Sequence, residues 1–138
     1  MTTSPLRIAP AGPAADAATV ATADASAVLS KAVVRAARLL ELTQRDVAAT
    51  LGMSEATASR FFAGRYLLDP VRAKEWELSL LFVRLYRSLD ALWGHEETAR
   101  RWLASENVAL AGVPRALVRS VEGLVRVVAY LDAARSRV

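Results

Sequence analysis

The sequence predicts an all-α protein, and three observations carry that reading. From Ser26 onward apolar residues recur at three- and four-residue steps, and no segment alternates apolar and polar residues as a half-buried strand would. Breakers at Gly52, Gly64, Pro70, Gly94, Gly112 and Pro114 divide the chain into short helices joined by short turns. With 138 residues, 54% hydrophobic and 23% charged, the chain can bury a core but is too short for a multidomain enzyme.

Residues 1–25 are rich in Ala, Thr and Pro (Pro5, Pro10, Pro13) and lack the large side chains that offset chain entropy, so a flexible tail is expected there. Arg7 is not followed by an apolar run, which argues against a signal peptide. The first helix is expected to pack through Val28, Ala32, Arg35/Ala36 and Leu39/Leu40. No stretch approaches 18 consecutive apolar residues, so the expectation is a soluble, cytoplasmic protein with no membrane association.

Between Leu42 and Gly64 the punctuation is tight. Thr43 suits the N-cap of a helix starting at Gln44, and Gly52 suits its left-handed end. Ser54 suits the N-cap of a second helix running to about Ala63. Val47, Leu51, Met53, Ala58 and Phe61 fall where two crossing helices face each other, and small Ala48 permits their close approach. This is helix-turn-helix spacing, placed in a domain over 26–76.

Further along, Leu78, Leu81, Phe82, Leu85, Leu89 and Leu92 form a full helical stripe that is expected to contribute to a dimer. Trp93 and Trp102 read first as core anchors. Asn107 and Gly112 suit a turn and Pro114 the first position of a short helix. Ser120 suits an N-cap, and Gly123 a point where a neighbouring helix comes close. In the last helix, Val121 to about Arg135, the residues Val121, Leu124, Val125, Val128 and Leu131 are expected to face the core. Val127 and Tyr130 then lie off that stripe, on surface expected to meet another chain. These elements make a second helical domain over 77–138.

Several chemistries are excluded. Cysteine is absent and His95 is the sole histidine, which removes disulfides, thiolate metal sites and His-rich metal centres. His95 beside Glu96 and Glu97 has no nucleophile motif near it. No enzymatic activity, cofactor or metal is expected. The net charge is +4, distributed as −1 over 1–25, +3 over 26–76 and +2 over 77–138, too evenly to be diagnostic of nucleic acid by itself. Lysine occurs only at Lys31 and Lys74, the other cations being arginine.

The helix-turn-helix spacing makes the stronger case for DNA. Its second helix is the expected recognition helix, with Phe61 and Phe62 inward, Glu55, Ala56, Ser59 and Arg60 outward, and Thr57 near the capped start. Arg60 suits guanine or phosphate, and Thr57 and Ser59 can bond to either. Gln44 and Arg45 stand at the positive end of the first helix, where phosphate is favoured. Glu55 is repelled by phosphate unless it accepts from a cytosine amine. A solvated helical hairpin without DNA binding is the alternative reading of the same spacing.

The stretch carrying Gln44, Val47, Ala48, Leu51, Gly52, Ser54, Thr57, Ser59 and Arg60 resembles the Xre-type (Cro/repressor-like) DNA-binding domain. The last 50 or so residues, with Gly94, Trp102-Leu103, Asn107, Leu110, Gly112, Pro114, Leu117, Glu122-Gly123, Val127 and Leu131 in order, resemble the C-terminal toxin-binding domain of Xre/MbcA/ParS antitoxins. The resemblance implies a homodimeric type II antitoxin that represses its own operon by binding operator DNA. It also implies a partner toxin, commonly a RES-domain protein that attacks NAD⁺, whose active-site cleft the antitoxin's C-terminal end occupies. Tyr130, Asp132, Arg135, Arg137 and Val138 are then the candidate toxin contacts, and Arg135 to Arg137 also fit a frayed, solvated helix end. Here the sequence departs from members that continue into a short Gly-containing aromatic tail. A stand-alone Xre-type repressor without a toxin is the other functional reading.

Overall fold

The computed structural model describes residues 13–137, and among them it is all-α, with seven helices. They are α1 (Pro13–Leu39), α2 (Gln44–Leu51), α3 (Glu55–Phe62), α4 (Ala73–Trp93), α5 (Glu96–Ala104), α6 (Pro114–Leu117) and α7 (Val121–Arg135). A single bridge between Asn107 and Gly112 is the extended pairing found among the described residues.

The expected tail over 1–25 needs correction. Residues 1–12 lie outside the described residues, but 13–25 are helical and continuous with the rest of α1. The stretch has little to bury, yet alanine is the best helix former and Pro13 sits at the start, where proline is tolerated. A helix already anchored by packing further along propagates into such a sequence at little cost. The core face of α1 is also rotated by one residue from expectation. Leu29, Val33, Ala36, Ala37 and Leu40 are buried, while Val28 is 67% exposed. Two adjacent apolar stripes compete there, and the one with the larger side chains takes the interior.

The membrane expectation also needs a qualification from α1. Ala17–Leu39 is long and apolar enough, by length and composition alone, to cross a bilayer. Its second half is nevertheless committed to the protein's own core: Leu29, Val33, Ala36 and Ala37 are buried. Buried Ser30 accepts a hydrogen bond from the Leu68 N–H (3.0 Å), tying α1 to the loop after α3.

The helix-turn-helix forms as its punctuation requires. Thr43 Oγ1 accepts from the Asp46 N–H (3.0 Å) and the Asp46 carboxylate accepts from the Thr43 N–H (2.9 Å), a reciprocal capping box. Gly52 ends α2 at φ 71° and Ser54 caps α3 through the Thr57 N–H (3.1 Å). Val47, Ala48, Leu51, Ala58 and Phe61 are buried between the two helices and their support.

Helix α4 spans about 30 Å at the usual rise and packs against α1 and α2 from the first half of the chain and α5 and α7 from the second. Its Leu78, Phe82, Leu85 and Leu89 are buried. The expected division at 76/77 falls inside this helix, which serves both halves of the chain.

Beyond α5, Asn107 closes a short turn by exchanging backbone bonds with Gly112 (2.8 and 3.2 Å) while its Oδ1 accepts from the Leu110 N–H (3.0 Å). Pro114 opens α6, and Ser120 caps α7 through the Gly123 N–H (3.0 Å). The inward face of α7 comprises Gly123, Leu124, Val127, Val128 and Leu131. Val121 and Val125, expected inside, are exposed, and Val127, expected off the core stripe, is buried. Gly123 sets this rotation. A Cβ there would stand 1.8 Å from the Leu117 carbonyl oxygen, so that side of α7 must meet the end of α6.

Gly123→Ala should therefore destabilise the protein strongly, by about 3 kcal/mol, since backbone must move to admit one methyl. Gly112→Ala, whose nearest neighbour is the flexible Leu117 side chain at 3.2 Å, should cost much less. Denaturant melts of the two variants side by side check the order.

Candidate functional site

Capping chemistry builds the first candidate surface. At the start of α2, Gln44 and Arg45 are exposed beside the unpaired N–H groups of the first turn. On α3, Glu55, Ala56, Ser59 and Arg60 are exposed and Thr57 is half-buried, as the helix-turn-helix reading requires. Phe61 is buried; Phe62, also expected inward, is half-buried with its ring edge-on to that of Phe61 (centroids 5.8 Å).

The structure brings these side chains into two small networks that the sequence did not reveal. Glu55 pairs with Arg45 Nε at 2.8 Å, joining the starts of α2 and α3 and neutralising the carboxylate expected to repel phosphate. Both partners are well exposed, so the pair opens at little cost when a stronger anion arrives. Thr57 Oγ1 accepts from Ser54 Oγ (2.9 Å) and from Arg60 Nη2 (3.1 Å), which draws the Arg60 guanidinium back along α3. Nothing in the spacing alone signals this resting position.

The second surface lies where α4, α5 and α7 meet. Trp93 and Trp102 are half-buried, with ring centroids 5.6 Å apart. Tyr130 is 37% exposed and stacks on Trp102 at 6.1 Å with 16° between the planes. The two tryptophans anchor the core, as expected, and also form a three-ring aromatic ledge with Tyr130 at the protein surface. That ledge is the feature the sequence reading missed, because the stacking joins residues 28 apart in the chain.

Asp132 and Arg135, expected from sequence to be partner contacts, are engaged within the chain. Asp132 pairs with Arg84 and accepts from Ser88 Oγ (3.2 Å), and Arg135 Nη1 bonds to the same Ser88 oxygen (3.2 Å). Together they fasten the end of α7 to α4. Arg137 is exposed, and Val138 lies outside the described residues.

Arginines from the second half also grip the first. Arg100 on α5 donates to the Leu39 carbonyl at the end of α1 (2.9 Å), a favourable place for a cation. Arg115 on α6 donates to Asp46 Oδ2 (2.7 Å), the carboxylate of the α2 capping box. Burial by itself pushes the Asp46 carboxyl up, but the Thr43 N–H and hydroxyl and the Arg115 guanidinium outweigh it and hold the group below its ordinary 3.8.

Comparison with known proteins gives these two surfaces their family. The model of the antitoxin Xre-like helix-turn-helix domain matches residues 19–84, and that of the antitoxin Xre/MbcA/ParS C-terminal toxin-binding domain matches residues 88–137. The chain belongs to this antitoxin family. No curated protein matches it. In antitoxin terms, the α2–α3 surface lies wholly in the helix-turn-helix match and the aromatic ledge wholly in the toxin-binding match. The first match begins at residue 19, within the part of α1 that composition alone assigns to a tail.

The Asp46–Arg115 contact makes the seam between the domains sensitive to acid. Because the folded-state value of Asp46 is depressed, its contribution is present above pH 3.8 and is lost as pH falls through the lower folded value. Arg115→Met should lower stability at pH 7 by about 1 kcal/mol. The difference between variant and wild type should shrink toward pH 3, which unfolding titrations across that range will show.

Proposed function

We propose that this protein is the antitoxin of a type II toxin–antitoxin pair, acting as a homodimer in the cytoplasm. Its C-terminal domain binds and neutralises a RES-domain, NAD-degrading toxin, and its N-terminal domain represses the shared operon by binding operator DNA. It does so by covering surfaces, without catalysis and without a cofactor or metal.

The observation that carries this reading is the pairing, in one chain, of an exposed polar α3 face with an aromatic ledge on the toxin-binding domain. The α3 face supplies the donors a major groove requires: Arg60 for guanine or phosphate, Ser59 and Thr57 for either. Gln44, Arg45 and the α2 N-terminus supply phosphate contacts, with Glu55 releasing Arg45 as DNA binds and Ala56 allowing close approach to the groove. A stand-alone repressor would leave Trp102 and Tyr130 stacked at the surface with nothing to cover them, whereas such aromatic pairs are the usual anchors of a protein interface.

On the toxin side, Tyr130 is the proposed anchor and Arg137 with Val138 the segment that reaches the cleft. Asp132 and Arg135 hold α7 in place through Arg84 and Ser88, and Arg135 also stays close enough to the surface to meet an acidic group.

Two measurements test the proposal. Arg60→Ala should weaken operator binding by about 1–3 kcal/mol at fixed salt, with a smaller loss on unrelated DNA. Equal loss on all sequences would reduce Arg60 to a phosphate contact. Deletion of residues 131–138 should restore toxicity of the co-expressed partner, while Tyr130→Ala should weaken the complex by about 2 kcal/mol or more. Full protection by both variants would overturn the toxin-binding assignment.

A further inference from the structure

A cleft runs between α1 and α4 that neither the DNA face nor the aromatic ledge uses. It encloses about 660 Å³, with Val28, Trp76 and Leu80 along its apolar part and Arg84, Arg87 and Arg135 at its rim. Val28 and Leu80 are 67% and 49% exposed, and unlike isolated exposed valines such as Val71 and Val108 they line one cleft on adjoining helices. Of the α4 stripe expected to contribute to a dimer, Leu78, Phe82, Leu85 and Leu89 are buried inside the chain and Leu81 and Leu92 are half-buried against its core. Leu80, off that stripe, is the large aliphatic residue of α4 that faces outward. Alongside, α1 projects past the core, with residues 17–25 all exposed. A helical stretch of that length with no packing of its own is marginal in water and gains from being covered.

Charge identifies the occupant. On the outward face of α4, Glu77, Leu80, Arg84 and Arg87 follow at steps of three and four, so acid precedes the leucine and base follows it. Glu77 and Arg84 stand at nearly equal distances on either side of Leu80. Two copies of such a helix laid antiparallel bring Leu80 against Leu80 at the axis and each Glu77 against the other copy's Arg84. On α1, Asp24 lies one turn before Val28 and offers a second acid to the basic rim. Among the described residues neither Glu77 nor Asp24 enters an ion pair within the chain, whereas every base a second copy would meet has donors to spare; Arg84, though paired with Asp132, is 60% exposed. A face that carries both signs in mirrored order is complementary to itself, the requirement of an isologous twofold contact.

We infer that this α1–α4 face is where a second copy of the chain docks, with the twofold axis passing close to Leu80. The inference rests on the homodimer in the proposed function and specifies its surface. It leaves the α3 helices of the two copies free to meet DNA and both aromatic ledges free to meet toxin.

The native chain has no cysteine, which makes the test direct. Full-length Leu80→Cys should oxidise to a covalent dimer, while Val121→Cys, exposed on α7, should remain uncrosslinked under the same conditions. Leu80→Glu should raise the dimer dissociation constant about tenfold or more by light scattering, with helicity by circular dichroism unchanged. If the wild-type chain is monomeric at tens of micromolar, the homodimer itself fails and this surface with it. A dimer that survives Leu80→Glu, together with a Leu80→Cys chain that stays unlinked on oxidation, overturns the surface alone. A Leu80→Glu variant that stays dimeric but no longer holds the toxin gives the face to the toxin, and also overturns it.

Discussion

Nearly everything in this structure follows from the burial of α4. It is the longest helix in the middle of the chain, and its apolar residues cover more of its circumference than one neighbouring helix can hide. Leu78, Phe82, Leu85 and Leu89 form one buried stripe with Ser79, Val83 and Ser88 buried beside it, and α1, α2, α5 and α7 all pack against the helix, so both halves of the chain need the same spine. At roughly 1.5–3 kcal/mol for each fully buried large aliphatic or aromatic side chain, those four residues represent a stabilisation comparable to the whole net stability of a small domain. Neither half could keep α4 and release the other without wetting part of that buried surface.

Arginines reinforce the meeting of the two halves. Where α5 and α6 approach the first half, Leu40 and Leu42 lie near Leu103 and Ala104, and arginines add the polar contacts around them. Arg100 reaches the end of α1, and Arg115 reaches the cap of α2. Asp46 stands at the join. It closes the N-terminus of α2 by accepting the Thr43 N–H, and it accepts Arg115 from the toxin-binding domain with the same oxygen. The helix whose N-terminal end is proposed to meet phosphate is thus held partly by the toxin-binding domain. A change in how α6 sits would be felt first at Asp46, two residues from Gln44.

The local chemistry of the fold was legible in the sequence because it depends on near neighbours. Thr43, Gly52, Ser54, Asn107, Pro114, Ser120 and Gly123 all do what their types and spacing imply, since caps, turns and close approaches are settled within three or four residues. What was not legible depends on which of two apolar stripes wins the interior. On α1 the stripes through Val28 and Leu29 are adjacent, and on α7 those through Val125 and Val127 are; periodicity ranks neither, and contacts from other helices decide. The helical run over 13–25 was hidden for another reason, because the absence of bulky side chains speaks to burial and says little about an alanine helix extended from an anchored one. At the candidate site the types and outward placement of the α3 residues were readable, while the Arg45–Glu55 pair, the Trp102–Tyr130 stack and the Arg115–Asp46 contact join residues 10, 28 and 69 apart.

The apolar excess of the sequence can now be divided according to what it covers. Most of it is consumed by the spine and by the two helices of the DNA-binding motif. Of what stays exposed, Val71, Val108, Val121 and Val125 lie apart from either patch, while two groups sit together: the aromatic ledge on the toxin-binding domain and the Val28–Leu80 cleft between α1 and α4. The α3 face, in contrast, exposes Ser59, Arg60 and Glu55, with only Ala56 apolar. Water wets that face without penalty, as suits the surface proposed to meet a charged duplex. The other two gain free energy on being covered, and their difference in kind is informative. Stacked rings with a tyrosine hydroxyl suit a partner of different composition, whereas aliphatic residues flanked by mirrored acid and base suit a copy of the chain itself. Three surfaces of one small helical protein therefore differ in the physical reason each has to meet the partner proposed for it.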